Sequence, residues 1–154
     1  EKISISEAIE TKVALNFFMQ SIIGFYCIFF KYQRSLSEKT LGFLCFSIQL
    51  ELLKEIKKYG TLAMLSNAND RHMVELAKTG IFKDFDYVFL SYKMHLTKPD
   101  PKIFEETAKQ LNCQPSDIYF FDDSQCNVDA AIKAGYHAYL VESPTEILNI
   151  VKTL

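Results

Sequence analysis

From about residue 46 onward, helical and strand-like apolar patterns take turns along the chain, and this alternation leaves few architectures open. Apolar residues at helical spacing, interleaved with short continuous apolar runs, mark βαβ units, which build a mainly parallel sheet with helices on its faces. The runs at Thr61 to Leu65, Tyr87 to Leu90, Ile118 to Phe121 and His137 to Val141 read as four strands, the first of them buried and the third short and apolar. Between them, a helix over about 47–59 places Leu52, Leu53 and Ile56 on one stripe, and another carries Met73, Leu76 and Ala77 and stops at Gly80. Asp100 followed by Pro101 is an N-cap with proline at the first helical position, opening a helix that carries Phe104, Ala108 and Leu111 and ends near Asn112. The last of the series carries Val128, Ala131 and Ile132 and stops at Gly135. The fold class is α/β.

The N-terminal third lacks this alternation, and a boundary near residue 45 separates an apolar, aromatic segment from the rest. Val13 to Phe30 runs without a charge between Lys12 and Lys31, at the lower limit for a bilayer-spanning helix, but Asn16, Gln20, Ser21 and Gly24 interrupt it. A helix packed among other helices is the reading for this run, with no membrane partner. Over the whole chain of 154 residues, 49% are hydrophobic and 23% charged, enough apolar material for a core and too much charge for a polytopic membrane protein. A net charge of −2 gives no basic field for a nucleic acid, so no nucleic-acid partner is expected. Cys27, Cys45, Cys113 and Cys126 lack the close pairing of zinc or redox motifs, which fits reduced thiols and a cytoplasmic setting. No signal peptide is visible, and an opening Glu1 in place of Met reads as a trimmed or processed start.

In open parallel sheets, ligands bind just beyond the carboxyl ends of the strands. Three such ends carry Ser66-Asn67, then Lys98 shortly after a strand, then Asp122-Asp123. A hydroxyl with following backbone N–H groups suits a phosphoryl oxygen, a lysine supplies a fixed positive charge, and paired carboxylates suit Mg²⁺. Singly, each has a plainer reading as a helix cap, a solvated charge or a polar loop. Together and in order, each after its strand, they describe a phosphate and metal site. Two adjacent acids would also repel one another without a cation. His72, His95 and His137 are scattered and give no support to a metal triad, and neither GxGxxG nor a P-loop occurs.

Leu65-Ser66-Asn67-Ala68-Asn69, Lys98-Pro99-Asp100-Pro101-Lys102-Ile103-Phe104 and Phe120-Phe121-Asp122-Asp123-Ser124 together resemble motifs two, three and four of the haloacid dehalogenase-like (HAD) hydrolase superfamily. The likeness spans about residues 47–142 and is nearest to the sugar-phosphate phosphatase branch and the phosphatase domain of epoxide hydrolases. It implies a HAD-like Rossmannoid parallel sheet flanked by helices, with residues 1–45 as a helical cap remnant and 46–154 as the α/β core. It also implies phosphate binding by Ser66, Asn67 and Lys98, with Ser66 and Lys98 as the catalytic pair. Mg²⁺ would be held directly by Asp123 and through water by Asp122, and the substrate would be a small-molecule phosphate ester. The acid pair resembles the Mg²⁺-dependent phosphatases rather than the true dehalogenases, which carry a Ser-Asn pattern there.

The family's first motif is a hydrophobic strand ending in Asp-x-Asp, whose first acid attacks phosphorus, and residues 1–60 contain no aspartate. The one Asp-x-Asp, Asp84-Phe85-Asp86, precedes its strand and reads as a loop. Two readings follow. In one, the chain begins within the cap, Lys2 to Ala8 resembling the segment after motif one, and the core lacks its first strand. In the other, Ile22 to Phe30 is the central strand, Lys31 and Gln33 stand in the acids' places, and the protein is a catalytically inactive binding or regulatory module. A core without that strand would have unpaired neighbours, to be filled by self-association, a partner strand or the apolar N-terminal segment.

Overall fold

The structure is a computed structural model and describes residues 12–15, 51–68, 73–74, 77–78 and 80–154. Five strands, β1 (Lys12–Leu15), β2 (Thr61–Ser66), β3 (Tyr87–Leu90), β4 (Ile118–Asp122) and β5 (His137–Leu140), form one sheet in the order β3-β2-β1-β4-β5. Every pairing is parallel. Helix α1 spans 51–57, and α2 (Ser91–Met94), α3 (Pro101–Leu111), α4 (Gln125–Lys133) and α5 (Pro144–Val151) follow.

The expected gap at the centre of the sheet is filled. Lys12–Leu15 lies between β2 and β4, with Leu15 beside Met64 on one side and Phe121 on the other. The apolar N-terminal segment supplies this strand, one of the three ways expected to fill the gap, so the sheet draws on residues within the segment assigned to the cap. A middle strand pairs on both edges, and this placement leaves neither β2 nor β4 with an open backbone on its inner side. Ile22 to Phe30, the alternative central strand, lies outside the described residues, as does most of the charge-free run from Val13 to Phe30. Among the described residues, no helix is long and apolar enough to cross a membrane.

Side chains alternate across the sheet, and the two faces bury separate cores. Leu62 and Met64 of β2 and Phe121 of β4 meet Leu53 and Ile56 of α1 and Ile147 and Val151 of α5. Ala63, Leu65, Ile118 and Phe120 face the other way onto Ile103, Phe104, Ala108 and Leu111 of α3 and Ala130 and Ala131 of α4. Burial on both faces explains why β2 and β4 read as continuous apolar runs. Phe104, Phe120 and Tyr136 pack edge-to-face at the heart of the second core, and the Tyr136 hydroxyl donates to the Phe104 carbonyl at 2.6 Å.

Helix starts and stops fall where local chemistry puts them. The Asp100 carboxylate accepts from the Lys102 amide at 3.0 Å, Pro101 opens α3, and Asn112 closes it in the left-handed region at φ 53°. Ile132 departs from expectation, since it is 53% exposed while Val128 and Ala131 are buried. One residue on from Ala131 turns about 100° away from the inward stripe, and buried Asn127 holds the other edge of that stripe. Gly135 ends the α4 segment at φ +92°, and a Cβ there would lie 3.3 Å from the Pro115 Cβ. Gly135→Ala should therefore lower stability by roughly 1–2 kcal/mol, read as a lower urea midpoint at unchanged m-value.

Candidate functional site

The site lies at the carboxyl ends of β2 and β4, and Lys98 is its hub. The Lys98 side chain is fully buried, and its Nζ donates to Asp122 Oδ2 at 2.9 Å and to the Leu65 carbonyl at 3.0 Å. It also lies 5.5 Å from the centroid of the Phe120 ring. Burial pushes the Lys98 ammonium down to about 8, with Asp122 pulling the other way. The group is thus held in its charged form near neutrality by a carboxylate in direct contact with it.

Asp122, fully buried at the end of β4, is saturated with donors. Oδ1 accepts from the Ser124 amide at 2.9 Å and from Asn127 Nδ2 at 3.0 Å, while Oδ2 takes Lys98 and a longer 3.1 Å bond from the same Asn127 amide. Asp123 is the next residue and is exposed. Partial burial and the charge of Asp122 raise its carboxyl above the ordinary range, as expected where a second acid stands beside the first.

Ser66 ends β2, is 3% exposed, and sits between the two residues that hold Lys98. Leu65 on one side accepts from the ammonium group. Asn67 on the other bonds the Lys98 backbone, its Oδ1 accepting from the Lys98 amide at 2.8 Å and its Nδ2 donating to the Lys98 carbonyl at 2.8 Å. The next residue is tied as well, because the Ser91 hydroxyl at the start of α2 accepts from the Ala68 amide and donates to the Ala68 carbonyl, both at 3.1 Å.

The five residues singled out from the sequence come from three segments, the end of β2, the loop before α3 and the end of β4, and the structure joins Asn67, Lys98 and Asp122 by direct hydrogen bonds. Asn127, Ser91 and the side-chain role of Asn67 were not legible beforehand. A buried asparagine on the inward stripe of α4 was the available signal for Asn127. Among the described residues, His95 and His137 take no part, His137 stacking on Tyr119 at 4.9 Å. Asp84 ends a short 3-10 helix (Ile81–Asp84), and Asp86 lies in the turn before β3, where it accepts from the Leu62 amide at 2.9 Å and pairs with Lys57 at 2.9 Å.

A profile of haloacid dehalogenase-like hydrolases matches residues 23–135, well over half of the sequence. The chain belongs to the haloacid dehalogenase-like hydrolase family. The human haloacid dehalogenase-like hydrolase domain-containing protein 3 is 29% identical over 104 residues, covering 66% of this chain and 41% of that protein. The phosphorylated carbohydrates phosphatase of Thermotoga maritima is 28% identical over 111 residues, covering 59% of this chain and 51% of that one. The chain thus spans about half or less of these relatives. A HAD family enzyme of Bacteroides thetaiotaomicron, crystallised with magnesium and inorganic phosphate, superposes with a TM-score of 0.61 at 20% identity, covering 86% of this chain and 94% of that one. This likeness is one of fold, and the same parallel sheet underlies both.

The acid pair of this HAD-like chain has the donor chemistry of a hard divalent cation site with few protein ligands. Mg²⁺ commonly takes one or two carboxylates and completes its shell with waters and phosphate oxygens. Asp123 offers an exposed carboxylate, whereas both oxygens of Asp122 are already engaged, which suits contact through water. Among the described residues there is no group of three His, Cys, Asp or Glu side chains placed for a metal.

Proposed function

We propose that this chain carries the phosphate-recognising core of a HAD-type, Mg²⁺-dependent phosphatase acting on small phosphomonoesters such as sugar phosphates in the cytoplasm. The observation that carries this reading is the Lys98 ammonium, buried and fixed between Asp122 and the Leu65 carbonyl. A dry, immobile positive charge acts more strongly on a phosphoryl group brought to these strand ends than it would in water. Ser66 and the Asn67 backbone amide would hold the remaining phosphoryl oxygens, and Lys98 would offset their charge. Asp123 would hold Mg²⁺ directly and Asp122 through water; when bound, the ion adds further charge neutralisation at phosphorus.

A second reading has its own observation. The residue that follows central strand β1 is Asn16, and residues 1–60 hold no aspartate. A chain that binds phosphate without forming an aspartyl-phosphate would act as a binding or regulatory module.

Titration calorimetry with inorganic phosphate in the presence and absence of Mg²⁺ tests the shared part of both. Phosphate should bind with Mg²⁺ dependence, Asp123→Asn should remove most of that dependence, and Lys98→Ala should weaken phosphate by about a hundredfold, as expected for a lost charge-assisted contact. Unchanged binding in Lys98→Ala would overturn the site. Release of phosphate from a panel of sugar phosphates then separates the two readings, since turnover supports the phosphatase and binding alone supports the module.

A further inference from the structure

Asn67 follows the β2 residue assigned to phosphate, yet its side chain does not point to an open site. Both of its polar groups are used on one peptide unit, Oδ1 on the Lys98 amide and Nδ2 on the Lys98 carbonyl, each at 2.8 Å. Only a side chain that donates and accepts at once can satisfy the N–H and C=O of the same residue, and an amide does this with a single planar group. At the far end of Lys98, the ammonium is fixed by Leu65 and Asp122. The lysine is thereby pinned at its backbone and at its tip, and a long side chain that would otherwise sample many rotamers has none left to sample. The clamp itself is braced, because the Ser91 hydroxyl holds the Ala68 peptide that follows it.

We infer that Asn67 is a positioning residue for Lys98, its side-chain amide setting the backbone of the lysine loop against β2 so that the ammonium group is delivered to the shared ends of β2 and β4. The inference rests on the proposed phosphate site for its ligand and on the hydrogen bonds alone for its geometry. It assigns the asparagine two separate duties, with the backbone amide facing phosphate and the side chain holding the lysine.

Two measurements on the full chain test it. In titrations with inorganic phosphate and Mg²⁺, Asn67→Ala should weaken binding by about tenfold, the effect of losing two ordinary hydrogen bonds that order the site. In a Lys98→Ala background, the same substitution should weaken binding no further, because its effect passes through the lysine. Amide hydrogen exchange at Lys98 should accelerate in Asn67→Ala and stay slow in Asn67→Asp, which keeps the acceptor for that amide. Independent, additive losses in the double-mutant cycle would overturn the inference, and so would unchanged exchange at Lys98 in Asn67→Ala. If the unsubstituted chain binds no phosphate, the proposed function falls, while the exchange measurement still decides the role of Asn67. Should Asn67→Ala not fold, Asn67→Ser, too short to bridge both groups, takes its place.

Discussion

Asn16→Asp should give the chain a carboxylate that can be phosphorylated. The registers of β1 set this expectation, since Leu15 lies beside Phe121 and the residue after Phe121 is Asp122, the partner of Lys98. One step beyond Leu15 in sequence is Asn16, so the substitution introduces an acid at the end of the strand that runs between the two halves of the site. An asparagine amide is a poor nucleophile, whereas a carboxylate has the electron pair that attack on phosphorus requires, and an ammonium group bound at the same phosphoryl group stabilises the charge that develops. Incubation with an activated phosphate ester should therefore label Asn16→Asp, and not the unsubstituted chain, with a phosphoryl group that hydroxylamine removes. Absence of any hydroxylamine-labile label in Asn16→Asp would mean that the end of β1 does not serve the phosphate site.

What could be read from the sequence and what could not differ by a physical cause. β2 and β4 were legible because both their faces are buried and turn signals bound them. β1 was not, because its Val13–Leu15 opens a charge-free run that continues to Phe30, and a short apolar run carries no periodicity to tell a strand paired on both edges from a helix. The strand-end positions of Ser66 and Asp122 were legible because parallel sheets place their ligand sites there, whereas Lys98 follows β3 only after α2. The network among them was not. That Asn127 would donate to both oxygens of Asp122 depends on how α4 is rotated, and that Asn67 would bond the Lys98 peptide depends on where a loop from another strand returns. Such contacts join residues distant in sequence, and neither spacing nor propensity encodes them. Ile132 shows the same limit, since helical spacing alone placed it inward and the packed orientation of α4 left it exposed.

The buried ion pair gives the second large effect, and its two halves are not equivalent. Asp122→Ala should destabilise the chain by about 3–5 kcal/mol, the usual penalty for leaving a buried charge without its partner. Among the described residues, the Leu65 carbonyl would remain as the hydrogen-bond acceptor of the Lys98 ammonium, with the Phe120 ring beside it. Lys98→Met removes the other half, yet the Asp122 carboxylate keeps the Ser124 amide and the Asn127 side chain, and that loss should be clearly smaller. The double replacement Asp122→Leu with Lys98→Met leaves no charge behind and should melt above Asp122→Ala. Raising the pH adds an independent check. The Lys98 ammonium already stands at about 8 against an ordinary 10.5, and without Asp122 its value falls further. In Asp122→Ala the unfolded chain then binds more protons than the folded one between that lowered value and 10.5, so stability rises with pH across this window. Because Lys98 of the unsubstituted chain sheds its own proton from about 8 upward, the deficit of Asp122→Ala should shrink as the pH climbs to about 8 and hold level beyond it. A deficit that stays constant with pH, or a double variant no more stable than Asp122→Ala, would show that the carboxylate supports the fold by its shape and hydrogen bonds and not by neutralising Lys98.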